Sequence, residues 1–344
     1  MGETIKIGIF GFGRIGRNLF RIGYRNPRFE FKVISDLGTP EALHYLLLRD
    51  SVHGPLEGAT LEGRFLSIDG QRVRILQGGE PGTIPWDALG VDVVVDATGK
   101  FRRREALEKH LQAGARRLIV TIPPVDEIDR MVIRGFNDGD IRTGDRIITT
   151  TSSTTQVLAL MLQCLDTHFG VKRAMMTTVH AYTSDQPLAD SARSDLRRSR
   201  SAVENIIPNT TWSPGLVEKL MPKFRGKLEG IAFNVPVPDG SCVDLTTEME
   251  QLPTPAEVNQ VMKNEADGAL KNIIGYTEDP IVSSDVIGAS ESMIFDARAT
   301  MVTGDAFLKT LCWYDNGWGF SQRILEVIEL YADLDARQGK GGAQ

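Results

Sequence analysis

Residues 5–17 read IKIGIFGFGRIGR, an apolar run that breaks into Gly11, Gly13 and Gly16 at the spacing G-x-G-x-x-G. Strand, tight turn and helix follow in that order. The first glycine permits the turn, the second lets the backbone approach a pyrophosphate, and the third lets the helix pack on the strand. The N-terminus of that helix adds partial positive charge. Phe12, Arg14 and Ile15 complete the loop and join the glycines as candidate cofactor contacts. A second apolar run, FKVIS at 31–35, ends at Asp36. That lies about twenty residues past the glycines, where a carboxylate accepts hydrogen bonds from an adenosine ribose. The same charge repels a 2′-phosphate, which favours NAD.

Outward from this unit, strand-like runs at 5–10, 31–35, 72–76, 91–97, 117–121 and 146–150 alternate with helical periodicity such as REALEKHLQAGA at 104–115. This is the βαβ rhythm of a parallel sheet. After residue 153 a helix-like TTQVLALMLQCL gives way to longer strand candidates, AMMTTVHAY, GIAFNVPV, SCVDLTTEME and FLKTLCWYD. They predict a second, largely antiparallel sheet with helices on one face. The expected fold is therefore α/β: a Rossmann dinucleotide-binding domain over 1–152, then an α+β catalytic domain over 153–318. The helical SQRILEVIELYADL, within 319–344, needs an earlier domain to pack on, and QGKGGAQ at 338–344 reads as a frayed tail.

Composition narrows the function classes. With 344 residues, 41% of them apolar, the chain can build two cores. A net charge of −6 argues against nucleic acid as the main partner, and the arginines at 102–104 and 193–200 read as local, solvated clusters. No signal peptide and no apolar stretch of the roughly 20 residues a membrane helix needs is apparent, so the cytoplasm is the expected location. Cys164, Cys242 and Cys312 are widely spaced. They suggest buried thiols, neither a disulfide framework nor a metal site.

Longer blocks carry a resemblance. GFGRIGR (11–17), LLLRDSVHG (46–54), VDVVVDATGKF (91–101), TTVHAYTSDQ (177–186), SDLRRSRSAVENIIP (194–208), GKLEGIAF (226–233), GYTEDPIVSSD (275–285), IFDA (294–297) and WYDNGWGFSQR (313–323) stand in the order found in phosphorylating glyceraldehyde-3-phosphate dehydrogenases. From residue 5 to about residue 332 the chain is similar to that family. The resemblance implies NAD as cofactor, with NADP use open because Ser191-Ala192 replaces a Leu-Pro pair. It implies contacts to the cofactor from Asp36, the Ala97-Thr98-Gly99 turn, Thr121 and Asn316. It also implies a homotetramer, in which 181–207 matches a loop that crosses subunit interfaces.

In that family a cysteine thiolate attacks the aldehyde, hydride passes to NAD, and inorganic phosphate cleaves the thioester. The resemblance places His180 at the position of the histidine that moves the protons, a role suited to imidazole near neutral pH. At the cysteine position, within IITTTSSTTQ (147–156), stands Ser153. A serine hydroxyl needs a strong general base and an oxyanion hole before it attacks. Ser153 sits where a helix is expected to begin, so a helix dipole favours a developing oxyanion there, and serine is also a preferred cap. Ser152 and Thr154 flank it as candidate substrate contacts.

Both anion sites implied by the resemblance are altered. Thr183 keeps its place in the first, but Asn234 replaces an arginine and a bidentate charged contact is lost. Arg198 and Thr211 keep theirs in the second, but Trp212 replaces a glycine, and Gln156 replaces an asparagine. The expected function is an NAD(P)-dependent oxidoreductase acting on a small aldehyde or carbonyl compound without the usual terminal phosphate. Two alternatives stand beside it. One is a catalytically silent NAD-binding scaffold or sensor, the other a Cys-to-Ser trapped form of an active enzyme.

Overall fold

Ile5, Ile7, Ile9 and Phe10 are all buried in the first strand, and so are the four residues of VVVD at 93–96. Strands apolar on both faces belong inside a sheet that helices cover on both sides. The computed structural model describes residues 4–341. They divide into two units, one running to Thr151 and resuming at Ser321, the other spanning Ser152–Phe320.

The first unit contains β1 (Ile5–Phe10), α1 (Arg14–Gly23), β2 (Phe29–Asp36), α2 (Pro40–Leu48), β3 (Arg49–Asp50), β4 (Gly54–Pro55), β5 (Thr60–Glu62), β6 (Phe65–Ile68), β7 (Gln71–Gln77), β8 (Val93–Asp96), α3 (Arg104–Gln112), β9 (Arg117–Val120), β10 (Arg130–Met131) and β11 (Ile147–Thr149). Its main sheet runs β10-β11-β9-β8-β1-β2-β7-β6-β5. Pairings are parallel from β10 through β7 and antiparallel for β7·β6 and β6·β5. Six of the seven strands in parallel pairings fall on the six predicted runs, and β10 falls on none. The short strands β3, β4, β5, β6 and β10 and the helix α2 were not predicted; two- to four-residue strands outside an apolar run carry no measurable period.

Helix α7 (Trp318–Gly341) enters this unit at Ser321. Ile324, Leu325, Val327, Ile328 and Tyr331 are buried, and polar clamps ring them. Arg28 pairs with Asp333 at 2.6 Å, Arg117 with Asp335 at 2.9 Å, and Tyr331 donates to Asp145 at 2.8 Å. The fraying expected from 338 is corrected as far as Gly341, where the helix still continues; 342–344 lie outside the described residues.

The second unit contains α4 (Ser153–Phe169), β12 (Val171–Ala181), β13 (Ile207–Asn209), α5 (Ser213–Leu220), β14 (Leu228–Val235), β15 (Ser241–Met249), α6 (Pro255–Asp267), β16 (Ile274–Thr277), β17 (Met293–Asp296), β18 (Met301–Thr303) and β19 (Phe307–Tyr314). The sheet order is β13-β14-β12-β15-β19-β17-β16, with β18 on β19. Only β12·β14 and β16·β17 are parallel among the described pairings, so the sheet is largely antiparallel. Helix α4 is buried along most of its length and packs on β12, β15 and β19. The alternation of β12, with Ala174, Met176 and Thr178 inward and Met175 outward, follows from covering one face alone. The three cysteines are buried in this unit. Burial pushes the Cys164 thiol up to about 12 and the Cys242 thiol up to about 11.

Candidate active site

The glycine turn of the first unit is built as a cradle. Gly11 takes φ +94°, and a Cβ there would lie 2.7 Å from the Thr98 nitrogen. A Cβ on Gly16 would lie 2.2 Å from the Gly11 carbonyl oxygen, so only glycine lets α1 approach β1 this closely. Gly13, by contrast, has nothing within 4 Å of its Cβ position. It is the N-cap of α1, with no side-chain cap and no acidic residue in the first turn. No capping side chain or acidic group of that first turn thus competes with an outside anion.

Two carboxylates brace this cradle. Asp36 accepts from Phe12 N at 2.6 Å and from Gly38 N at 2.9 Å, so it shapes the loop and keeps lone pairs for a ribose. Asp96 accepts from Thr98 N at 3.0 Å and from Thr98 Oγ1 at 2.6 Å. Thr121 N reaches the Asp96 carbonyl at 3.1 Å, and Gly99 turns with φ +70°. Arg14 and Ile15 open α1. Gly11 through Gly16, Asp36, Thr98, Gly99 and Thr121 therefore share the C-terminal end of one sheet, and a dinucleotide fits there. Asn316 belongs to the second unit, where its Oδ1 accepts from Ser241 Oγ at 3.0 Å.

In the second unit the N-terminus of α4 is furnished with hydroxyls. Ser152, not Ser153, is the N-cap, and its Oγ accepts from Thr155 N at 3.2 Å. The cap reading of Ser153 is thereby corrected; Ser153 is the first helical residue, and its Oγ makes no hydrogen bond among the described residues. Thr154 turns inward, its hydroxyl 2.7 Å from Tyr314 OH.

Tyr314 OH also lies 3.2 Å from Thr178 Oγ1, which ties the start of α4 to β12. Burial pushes this phenol up to about 12, so it stays neutral. Two residues on from Thr178, His180 lies on the same face of β12, its ring edge-on to Tyr314 at 6.1 Å between centroids. His180 Nδ1 is 2.7 Å from the Ala181 carbonyl oxygen. A carbonyl only accepts, so Nδ1 carries the hydrogen and Nε2 is the basic nitrogen of the neutral ring.

The remaining candidates are held by different partners. Parallel pairing sets Asn234 of β14 beside His180. Its amide oxygen accepts from Asn209 Nδ2 at 3.3 Å. Thr211 Oγ1 accepts from Ser213 N at 3.3 Å, while Trp212 is 56% exposed. Buried Gln156 accepts from Ser292 Oγ at 3.4 Å. Thr183 and Arg198 are brought together, through the carboxylate of Asp185.

Sequence reasoning missed Asp185, Tyr314 and Ser241. The first two lay within quoted blocks, but only their partners reveal a role. Ser241 Oγ accepts from Ala181 N at 3.0 Å and so links the strand end of His180 to Asn316.

Residues 5–104 match the family model described as glyceraldehyde 3-phosphate dehydrogenase, NAD binding domain, and residues 152–316 match the C-terminal domain of the same enzyme. The glyceraldehyde-3-phosphate dehydrogenase of Geobacillus stearothermophilus is 42% identical over 331 residues, covering 96% of this chain and 98% of that protein. The Streptomyces coelicolor enzyme is 42% identical over 328 residues, 94% of this chain and 97% of its own. Glyceraldehyde-3-phosphate dehydrogenase 1 of Kluyveromyces lactis is 39% identical over 328 residues, 94% and 99%.

Proposed function

Since the chain belongs to the glyceraldehyde-3-phosphate dehydrogenase family, whose NAD-binding domain it carries, we propose that it oxidises a small aldehyde lacking a terminal phosphate. His180 is the acid/base, and Ser153 stands at the nucleophile position. The supporting observation is the 2.7 Å bond from His180 Nδ1 to Ala181 O, which makes Nε2 the proton acceptor. NAD, when bound, supplies the hydride acceptor. Ser153 Oγ bonds to the carbonyl carbon, its proton passing to His180 and on to the former carbonyl oxygen. First-turn N–H groups of α4 favour negative charge on that oxygen while it forms. His180 takes the hydroxyl proton as the carbon is oxidised, leaving an ester that water cleaves to the acid, restoring Ser153.

Absorbance at 340 nm tests this with NAD and with NADP, against phosphorylated and unphosphorylated aldehydes, for the chain as it stands and for Ser153→Cys. Turnover of an unphosphorylated aldehyde by the serine form is expected, with weak or absent turnover of glyceraldehyde 3-phosphate plus phosphate. Robust phosphate-dependent NADH formation by the serine form would overturn the proposal. Activity confined to the cysteine form would identify a trapped enzyme. A silent NAD-binding chain draws support from the Ser153 hydroxyl, which makes no hydrogen bond among the described residues; NAD binding without turnover in either form would establish it.

The same proposal includes assembly as a homotetramer. Exposed Met175, Ile231, Met301 and Phe307 on β12, β14, β18 and β19 support it, since monomers rarely leave such faces open. A monomer mass by light scattering would overturn that part.

A further inference from the structure

A line of buried polar contacts runs beneath the Thr98 turn of the first unit. Trp86, ahead of β8, and His110, in α3, are both fully buried, and the indole Nε1–H of Trp86 donates to His110 Nδ1 at 3.3 Å. An indole nitrogen only donates, so Nδ1 is the bare nitrogen of the ring and Nε2 carries the hydrogen. His110 Nε2 lies 3.7 Å from Asp96 Oδ2, and neither atom has a hydrogen-bond partner among the described residues. Phe10, which belongs with Trp86 to one hydrophobic cluster, stands edge-on to the imidazole at 4.7 Å between centroids. In such surroundings a buried N–H is costly unless a polar group faces it, and Asp96 is that group.

The other oxygen of Asp96 builds the turn. Oδ1 accepts from Thr98 N at 3.0 Å and from Thr98 Oγ1 at 2.6 Å. Thr98 in turn walls the glycine loop, since a Cβ on Gly11 would fall 2.7 Å from its nitrogen, and Ala97 N donates to Phe10 O at 2.7 Å. The rotation of the Asp96 carboxyl therefore sets where Thr98 stands beside the cradle. With Oδ1 committed to two donors, Oδ2 is the oxygen that can be held from the far side. At 3.7 Å the contact with His110 is too long for a hydrogen bond and too short for an interposed water. It acts as an electrostatic contact, strengthened by exclusion of solvent.

We infer that His110 is a positioning residue for the cofactor: through Asp96 it fixes the Thr98 turn, and with it the wall of the glycine cradle that receives NAD. The inference needs NAD to bind and no aldehyde to turn over, so failure of the proposed oxidation leaves its test intact.

Amide substitutions separate the two ring nitrogens. A Gln amide nitrogen falls near the Nε2 position and can donate to Asp96, whereas an Asn amide reaches only the Nδ1 position, where its oxygen can accept from Trp86. NAD is titrated by calorimetry into the parent chain, His110→Gln and His110→Asn, with a melting temperature for each. Both variants should melt below the parent, because each loses one of the ring's two contacts. NAD affinity should divide them: about tenfold weaker in His110→Asn, and matching the parent in His110→Gln. Unchanged affinity in His110→Asn, or a loss in His110→Gln as large as in His110→Asn, would overturn the inference and leave His110 a packing residue. A measurement on the parent chain decides the matter if His110→Asn does not fold. Nitrogen NMR of the histidine-labelled, NAD-bound protein, with the His110 signals assigned by their absence in His110→Gln, should place the hydrogen on Nε2; a hydrogen on Nδ1 would overturn the inference.

Discussion

Helices α1 and α4 each begin soon after a parallel strand, and they use the same backbone geometry in opposite ways. Helix α1 opens on Gly13, with no capping side chain and open space above it. Helix α4 opens on Ser152, which caps Thr155 N, while Thr154 bonds inward to Tyr314. The first leaves its N–H groups for an outside anion, so its specificity resides in the absence of side chains. The second is lined with hydroxyls, and what it accepts depends on residues from β12, β14 and β19. A backbone cradle tolerates few changes because any Cβ fills it. A side-chain site can exchange its chemistry while the scaffold stays, and Ser153, Trp212 and Asn234 all belong to the second unit.

The comparison can be broken most forcefully at His180. His180→Gln should lower turnover by roughly 10²–10⁴-fold while the calorimetric NAD isotherm stays unchanged; an equal loss of NAD affinity would mean that the two sites are not separable. Gly16→Ala should do the reverse. A Cβ 2.2 Å from the Gly11 oxygen forces backbone apart, at a cost of roughly 1–3 kcal/mol. NAD affinity and melting temperature should both drop, and an unaffected isotherm would show that the turn is looser than described.

Tyr314→Phe sharpens the second half of the contrast. It leaves the Thr154 and Thr178 hydroxyls without their shared partner, which costs about 1–3 kcal/mol. Because the phenol is neutral up to about 12, the loss of melting temperature should be the same at pH 6 and pH 9. A loss that grew with pH would contradict the neutral assignment.

The smallest effect expected is acid sensitivity in the first unit. Burial alone would raise the Asp129 carboxyl, but the N–H groups of Ile147 and Arg146 and the Arg104 guanidinium outweigh it and hold the group below its ordinary value. A folded value below the unfolded one gives stability that is present above the unfolded value, about 3.9, and is lost as pH falls through the folded one. Melting temperature should therefore fall on acidification below about pH 4, and Asp129→Asn should flatten that fall. An identical acid profile in the variant would remove Asp129 from the account.

Local signals made one half of the molecule legible. Six of the seven parallel strands, the glycine turn and Asp36 could be read because each depends on neighbours within one βαβ unit, where period and spacing are visible. The role of Asp36 in holding Phe12 N was not visible, since a carboxylate that serves the loop and one that serves a ribose look alike in sequence. At the catalytic end the residue types could be read, but not their partners. Ser152 rather than Ser153 caps α4, a difference of one residue that hydrophobic period does not resolve.

The sequence by itself determined the family, the dinucleotide cradle and the residue types at the candidate site, because these depend on residue type and short spacing. Tertiary structure alone decided which hydroxyl caps α4, which nitrogen of His180 is basic, and which carboxylate engages Thr183 and Arg198. Each of those answers is a hydrogen bond whose partner is chosen by backbone geometry and strand pairing, and chain order carries no record of that choice.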